Sequence, residues 1–198
     1  MAQENGNGNG VEKATQKPRD HWGIAGLVVR VLALFGTVSA TVVMAMNKEK
    51  KTIVVATIGT TPIQATLTAK FQHTPAFVFF VIANGLGSLH NLLMLVTEVI
   101  GPKYDFKFKG IRLLLVALLD TVNVALVSGG MSAAAFMGQL GRDGNSHARW
   151  SRICDKFNTF CDHGTGAIIA SFIALLLMII TTLITLIKLR NHSTSTLT

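Results

Sequence analysis

The sequence predicts an all-α integral membrane protein, a four-transmembrane-helix bundle with a small β-hairpin in the first extracellular loop. Three observations carry this. Four long apolar stretches, Ile24–Met46, Ala76–Thr97, Leu113–Met137 and Thr165–Ile187, each approach or exceed the roughly 20 residues a helix needs to cross a bilayer. Their only Asp, Glu, Lys or Arg residues are Arg30 in the first and Asp120 in the third. The 198 residues are 49% hydrophobic and 14% charged, which leaves no room for a soluble domain of ordinary size. Inside lipid, segments of this length satisfy their backbone N–H and C=O groups only as helices.

Residues 1–20, with the run Asn5-Gly6-Asn7-Gly8-Asn9-Gly10, lack apolar periodicity and read as a disordered cytoplasmic tail. The membrane domain covers residues 21–190, and Trp22 sits where an interfacial aromatic belongs. The triplets Val38-Ser39-Ala40 and Val43-Met44-Ala45 resemble weak signal-peptidase sites, but the polar stretch before the first span is long and more spans follow. No cleavage is expected. The first helix spans about residues 24–46. In the loop that follows, Asn47–Thr74, the residues Ile63, Ala65, Leu67, Ala69 and Phe71 alternate with Gln64, Thr66, Thr68 and Lys70. Thr52–Ile58 is β-branched, and Gly59-Thr60-Thr61-Pro62 supplies turn chemistry. A hairpin lying on the membrane surface fits this pattern, against the alternative of an irregular loop. The other helices span about 76–99, 111–137 and 165–188. A short connection, Gly101–Gly110, joins the second to the third, and Gly138–Gly164 forms the last loop with both cysteines. Residues 191–198 form a second cytoplasmic tail.

A net charge of +8 would point to nucleic acid in a soluble protein, but here the basic residues sit in loops and tails, where anionic headgroups explain them better. No nucleic-acid partner is expected. The tails and the middle connection, counted with Arg112, carry nine Lys and Arg, and the two long loops carry eight. For its length the middle connection, with Lys103, Lys107 and Lys109, is the richest, which favours cytoplasmic termini. Cys154 and Cys161 are the only cysteines and share one loop, so a disulfide there would place that loop outside.

With both termini on one side, the first and third helices run parallel and depth can be compared. Arg30 lies about seven residues in and Asp120 about nine, or roughly 10 and 14 Å. An intramembrane ion pair, Arg30 with Asp120, is expected to hold these two helices side by side. Either charge alone would cost about 2.5–3.5 kcal/mol on the insertion scale. Gly26, Ala33, Thr37 and Ala40 share the Arg30 face and suit helix contact. The alternative for Arg30 is to snorkel to the headgroups, which a short Asp cannot do. Asn84, Ser88, Asn91 and Glu98 follow helical spacing on the second span. Asn84, His90, Asn91 and Asn123 are expected to form a supporting polar layer around the pair. Such a layer is either a lock on helix register or a proton or ion path. The lock is favoured, because there is one acid at mid-depth and no broken helix or inverted repeat. Small residues recur at four-residue spacing, Ala125, Gly129 and Ala133 on the third span and Gly166, Ala170 and Ala174 on the fourth. They are expected at helix contacts, within the bundle or between protomers. The Ala125 stripe is turned about 140° from Asp120, so the third span offers two contact faces.

Catalytic constellations are missing, so no enzyme activity, metal or cofactor is expected. Zinc on Cys154, Cys161, His147 and His163 would need closer spacing than the six intervening residues between the cysteines. There is no phosphate-binding glycine loop after a strand and no nucleophile elbow.

Arg30 in the first span, Asp120 in the third and Cys154-Asp-Lys-Phe-Asn-Thr-Phe-Cys161 before the fourth together resemble the plant Casparian strip membrane domain protein-like family. Phe77-Val-Phe-Phe-Val-Ile-Ala-Asn84, opening the second span, adds to the resemblance, which covers about residues 20–190. It implies a multi-pass plasma-membrane protein with cytoplasmic termini, distantly MARVEL-related, that forms homo- and heteromers. The family's Arg and Asp map onto Arg30 and Asp120, and its cysteines onto Cys154 and Cys161. Strip-building members share a first-loop stretch near Leu-Pro-Phe-Phe-Thr-Gln-Phe. Here Thr61-Pro-Ile-Gln-Ala-Thr-Leu-Thr-Ala-Lys-Phe71 departs from it, so a "-like" member is implied rather than a strip builder. The expected function is a non-enzymatic scaffold that oligomerises and organises a membrane domain. Its expected partners are itself, related members, membrane lipids and wall-modifying enzymes. The alternative is a small ion channel or proton-coupled transporter using Asp120, His90 and Arg30.

Overall fold

A computed structural model describes residues 21–100 and 109–197. The expected disordered tail and most of the middle connection lie outside the described residues. Four helices form, α1 His21–Ala45, α2 Pro75–Ile100, α3 Lys109–Asp143 and α4 Asn158–Leu197. All four are long and apolar enough to cross a membrane. Large apolar side chains such as Val28, Phe35, Val122, Phe136 and Ile173 point outward, the inverse of a soluble protein and the pattern lipid requires.

The packing follows from where small and polar residues fall. On α1 the buried positions are Gly26, Arg30, Ala33, Thr37, Ala40 and Met44, and on α4 they include Ala167, Ser171, Ala174, Met178, Thr181 and Thr185. Both sets alternate steps of three and four residues, the repeat that keeps one seam facing a partner helix. Backbones approach closely along these seams. A Cβ added at Gly36 would lie 2.8 Å from Cβ of Ala174, and one at Gly130 would lie 2.7 Å from Cβ of Ala83. Association in lipid rests on such contacts because lipid tails remove the hydrophobic drive between helices. Helix α1 packs on α2 and α4, and α3 packs on the same two. Helices α1 and α3 therefore face each other across the diagonal. The expectation that they lie side by side is corrected.

Two helices run further than the apolar stretches. Helix α3 continues to Asp143, beyond the expected 137, and α4 begins at Asn158 rather than 165. The expected second tail is helical to Leu197. Apolarity marks where lipid ends, whereas helical hydrogen bonds continue until something breaks them. After Gly166 the chain has neither Gly nor Pro. Helix α3 does meet a stop. Gly144, at φ 69°, donates its N–H to the Leu140 carbonyl at 2.9 Å, a left-handed cap suited to glycine.

Between α1 and α2 stands a two-stranded antiparallel ribbon, β1 Lys48–Ile58 and β2 Thr61–Lys70. Gly59, at φ 63°, opens its two-residue turn, which favours glycine at that position. The strands start earlier and reach closer together than the expected turn allowed, and Pro62 falls inside β2 opposite Thr57. In a ribbon both strands are edges, so a residue without an N–H is tolerated. A bulge between Val54 and Ala56 adjusts the register. The ribbon and the α3–α4 loop occupy one end of the bundle, and the start of α1 and the end of α4 occupy the other.

Candidate functional site

Arg30 projects from α1 into the bundle centre, where its neighbours along the seam, Gly26 and Ala33, leave room for a long side chain. Its Nη1 donates to Asp120 Oδ1 at 3.1 Å and its Nη2 to Asp120 Oδ2 at 3.0 Å. This is the bidentate fork that planar guanidinium and carboxylate groups favour. Arg30 is 1% exposed and Asp120 3%, so the guanidinium meets its counterion rather than the headgroups. From α2, His90 Nε2 lies 2.7 Å from Asp120 Oδ1. Near the end of α2, Glu98 Oε1 stands 3.5 Å from Arg30 Nε, an ion-pair distance. One acid from α3 is thus held between a cation from α1 and an imidazole from α2, with a second acid flanking the cation. Because the helices carrying the pair are diagonal neighbours, the pair crosses the core instead of sealing one interface.

The expected polar layer divides. Of Asn84, His90, Asn91 and Asn123, only His90 is hydrogen-bonded to the pair. Asn84 lies six residues from His90, about 9 Å along the axis, and bonds elsewhere. It donates to the Phe80 carbonyl at 3.0 Å and accepts from Ser171 Oγ of α4 at 2.8 Å. Asn84 also points about 120° away from His90 around the helix, so neither height nor direction brings it to the pair. Asn91 and Asn123 are buried, and the Nδ2 of each, like Arg30 Nε, has no hydrogen-bond acceptor. Asn123 borders Gly87, where an added Cβ would lie 3.7 Å from its Oδ1 and 2.9 Å from Val127 Cγ2.

Of the small residues expected at contacts, Ala174 is fully buried against Gly36, and the Ala170 carbonyl lies just beneath that glycine. Ala133 is half-buried and Gly129 is exposed, with Phe79 its nearest neighbour. Gly166 is exposed with open space around it, so it makes no contact within the bundle. Four-residue steps advance 400°, so a stripe read that way drifts about 40° per step and leaves the interface. Alternating steps do not drift, and they pick out Gly164, Ala167, Ser171 and Ala174 instead.

Cys154 and Cys161 form a disulfide with Cα atoms 5.7 Å apart. Cys161 sits in the first turns of α4 rather than in the loop, so the bond pins the loop onto the helix start. Beside it the ribbon root grips Phe160. Asn47 Nδ2 donates to the Phe160 carbonyl at 2.7 Å, and the Phe160 N–H donates to Glu49 Oε2 at 2.8 Å. That N–H is one of the amides a helix start leaves without an intrahelical acceptor, and an anion suits it. Phe77 and Phe160 meet edge to face at 6.0 Å. Among the described residues, no three His, Cys, Asp or Glu side chains gather as a metal-binding group.

The Casparian strip membrane protein domain model matches residues 19–177, which include Arg30, His90, Asp120 and both cysteines. The chain is 65% identical over 163 residues to CASP-like protein 1B2 of Populus trichocarpa, covering 82% of this chain and 81% of that one. It is 61% identical over 154 residues to CASP-like protein 1B1 of Ricinus communis, covering 78% and 75%. It is 52% identical over 176 residues to CASP-like protein 1B2 of Arabidopsis thaliana, covering 87% and 88%. The chain belongs to the CASP-like family. No solved structure matches it.

In this CASP-like chain two contributors carry no sequence signal of their own, and a third carries an incomplete one. Glu98 closes the second span's polar face but lies beyond its apolar stretch, so nothing in the pattern ties it to Arg30. Asn47 and Glu49 sit in a basic run, Lys48 to Lys51, and cap a helix more than a hundred residues away. For Gly36, Gly87 and Gly130 a signal does exist, namely their place on seams of alternating three- and four-residue steps.

Proposed function

We propose that this CASP-like protein is a non-enzymatic scaffold of the plasma membrane, with both termini cytoplasmic. It oligomerises with itself and with related members, organises a membrane domain and offers its outer end to wall-modifying partners. The observation that carries this is the use of the buried charges. Arg30 and Asp120 are spent in a two-bond clamp across the diagonal. A cavity of about 790 Å³ lies at the ribbon end, and its lining includes none of Arg30, His90, Glu98 and Asp120. A bundle locked at its polar centre suits a passive platform. Crosslinking and pull-down of the full chain from native plasma membrane tests the reading. Recovery of the chain with no second copy and no family member would refute it.

One observation favours a second reading, a proton-coupled channel or transporter. His90, Asp120, Arg30 and Glu98 form a chain of ionisable groups running from the buried core to a partly exposed carboxylate. Proton flux into liposomes carrying the protein, abolished by Asp120→Asn, would establish that reading and displace the scaffold.

A further inference from the structure

The ribbon separates two chemistries on its two faces. Cross-strand partners share a face, and residues two apart on one strand share it too. At the root, Glu49 pairs with Ala69 on the face that packs onto the bundle: Glu49 caps α4, and Ala69 packs against the aromatic cluster around Phe77 and Phe160. The opposite face therefore turns away from the bundle. It carries Lys48 directly across from Lys70, and Lys50 across from Thr68. Thr52 and Thr66 continue that face, joined through their hydroxyls at 3.2 Å. The ribbon's acid, Glu49, lies on the other side with Lys51 as its partner at 3.3 Å.

Like charges directly opposite one another weaken a ribbon, and an isolated two-stranded ribbon is marginal already. Among the described residues, no carboxylate lies within 4 Å of the amino group of Lys48, Lys50 or Lys70. Lys48 and Lys50 are exposed and Lys70 is half-buried. Three cations gathered without an anion form a site that lacks its counter-charge. Its height identifies the ligand. Lys48 follows the last residue of α1 by three residues, at most about 10 Å of extended chain. Lys70 precedes α2 by a single 3₁₀ turn and one residue. The cluster therefore sits at the level of the headgroups and faces sideways over the surrounding leaflet.

We propose that Lys48, Lys50 and Lys70, on the ribbon face turned away from the bundle, bind the phosphate headgroup of an anionic phospholipid beside the first and second helices. A membrane's anionic phospholipid is concentrated in its cytoplasmic leaflet. At the outer end proposed above, three convergent ammonium groups would therefore select a scarce anionic headgroup rather than meet a charged surface. An occupied site relieves the Lys48–Lys70 repulsion and lays the ribbon root on the bilayer.

The test uses the full chain in nanodiscs of phosphatidylcholine, titrated with phosphatidylglycerol, with amide exchange read across residues 48–70. The local readout sets aside the basic residues at the opposite end. Exchange of the root amides is expected to slow as phosphatidylglycerol rises. The apparent lipid affinity should fall about fivefold for each lysine removed in the series Lys48→Gln, Lys50→Gln, Lys70→Gln. The triple Arg variant should keep the response, and so should Lys51→Gln, on the other face. In pure phosphatidylcholine the triple Gln variant should exchange no faster than the parent, because it loses only a repulsion. No phosphatidylglycerol effect on the parent chain overturns the proposal, as does a full response in the triple Gln variant or an equal loss in Lys51→Gln. Protection by soluble polygalacturonate in phosphatidylcholine discs, with none from phosphatidylglycerol, makes the occupant a soluble polyanion and overturns it too.

Discussion

The two ends of this bundle are fastened by different physics. Toward the termini, deep in the span, the fastener is charge: Arg30, His90 and Asp120 join three helices within 3.1 Å. Toward the ribbon it is a disulfide, an aromatic contact and a two-bond grip on the Phe160 backbone. Each end uses what its surroundings make strong. In hydrocarbon an unpaired charge is costly and burying apolar surface gains nothing, so an ion pair and close backbone contact specify the packing. Near water, aromatic burial and a covalent bond regain their ordinary value. The lesson is that the deep end holds by the penalty for coming apart, and the wet end by contacts that stabilise directly.

The sharpest test of that contrast is to leave one charge alone. Asp120→Leu or Arg30→Leu should destabilise the bundle by about 3–5 kcal/mol, since the surviving partner remains buried without its counterion. Steric trapping or denaturant titration in detergent measures this. Exchanging the charges, Arg30→Asp with Asp120→Arg, should recover part of the loss. If the exchange is no better than either single change, the pair is not what holds the diagonal. Close packing at the deep and middle levels should count next. Gly36→Ala with Gly130→Ala should cost about 2–3 kcal/mol together, because each new methyl meets another within about 3 Å. Gly166→Ala, in open space, should stay within about 0.5 kcal/mol in the same assay. At the wet end, Cys154→Ser with Cys161→Ser should cost about 2 kcal/mol, the value for closing so short a loop. Hydrogen exchange should show that loss in residues 144–157 and the start of α4, leaving amides around Asp120 protected.

The contrast also governs what the sequence revealed. Arg30 and Asp120 were legible because a charge in an apolar stretch has few ways to be satisfied, and counting residues gives its depth. Counting gives height and not azimuth, so the diagonal placement of α1 and α3 was not legible. Asn84 and His90, six residues apart on α2, are separated both in depth, by about 9 Å, and in direction, by about 120°. The α4 start at Asn158 escaped a reading based on apolarity, since the helix outlasts the lipid there. The alternation of Ile63 to Phe71 revealed the ribbon, because a period of two survives in any strand with two unlike faces. Glu49 was hidden for a different reason. Its role depends on a helix start brought near by the whole fold, and no local pattern encodes that.

Glu49 gives the finest cut between the two ends, and the smallest effect. Its carboxylate accepts one N–H at the start of α4 and also meets Lys51, whose ammonium is partly in water. Screening makes the Lys51 contact weak, so the capping bond should dominate. Glu49→Ala should cost about 1 kcal/mol, the usual value of a lost N-terminal cap. Glu49→Gln keeps an acceptor and loses only the charge at the helix start, so about 0.5 kcal/mol is expected. Exchange at the Phe160 amide reads both changes at the atom concerned. Equal losses in the two variants would mean that the charge, not the hydrogen bond, fastens the ribbon. The wet end would then hold by electrostatics after all, as the deep end does.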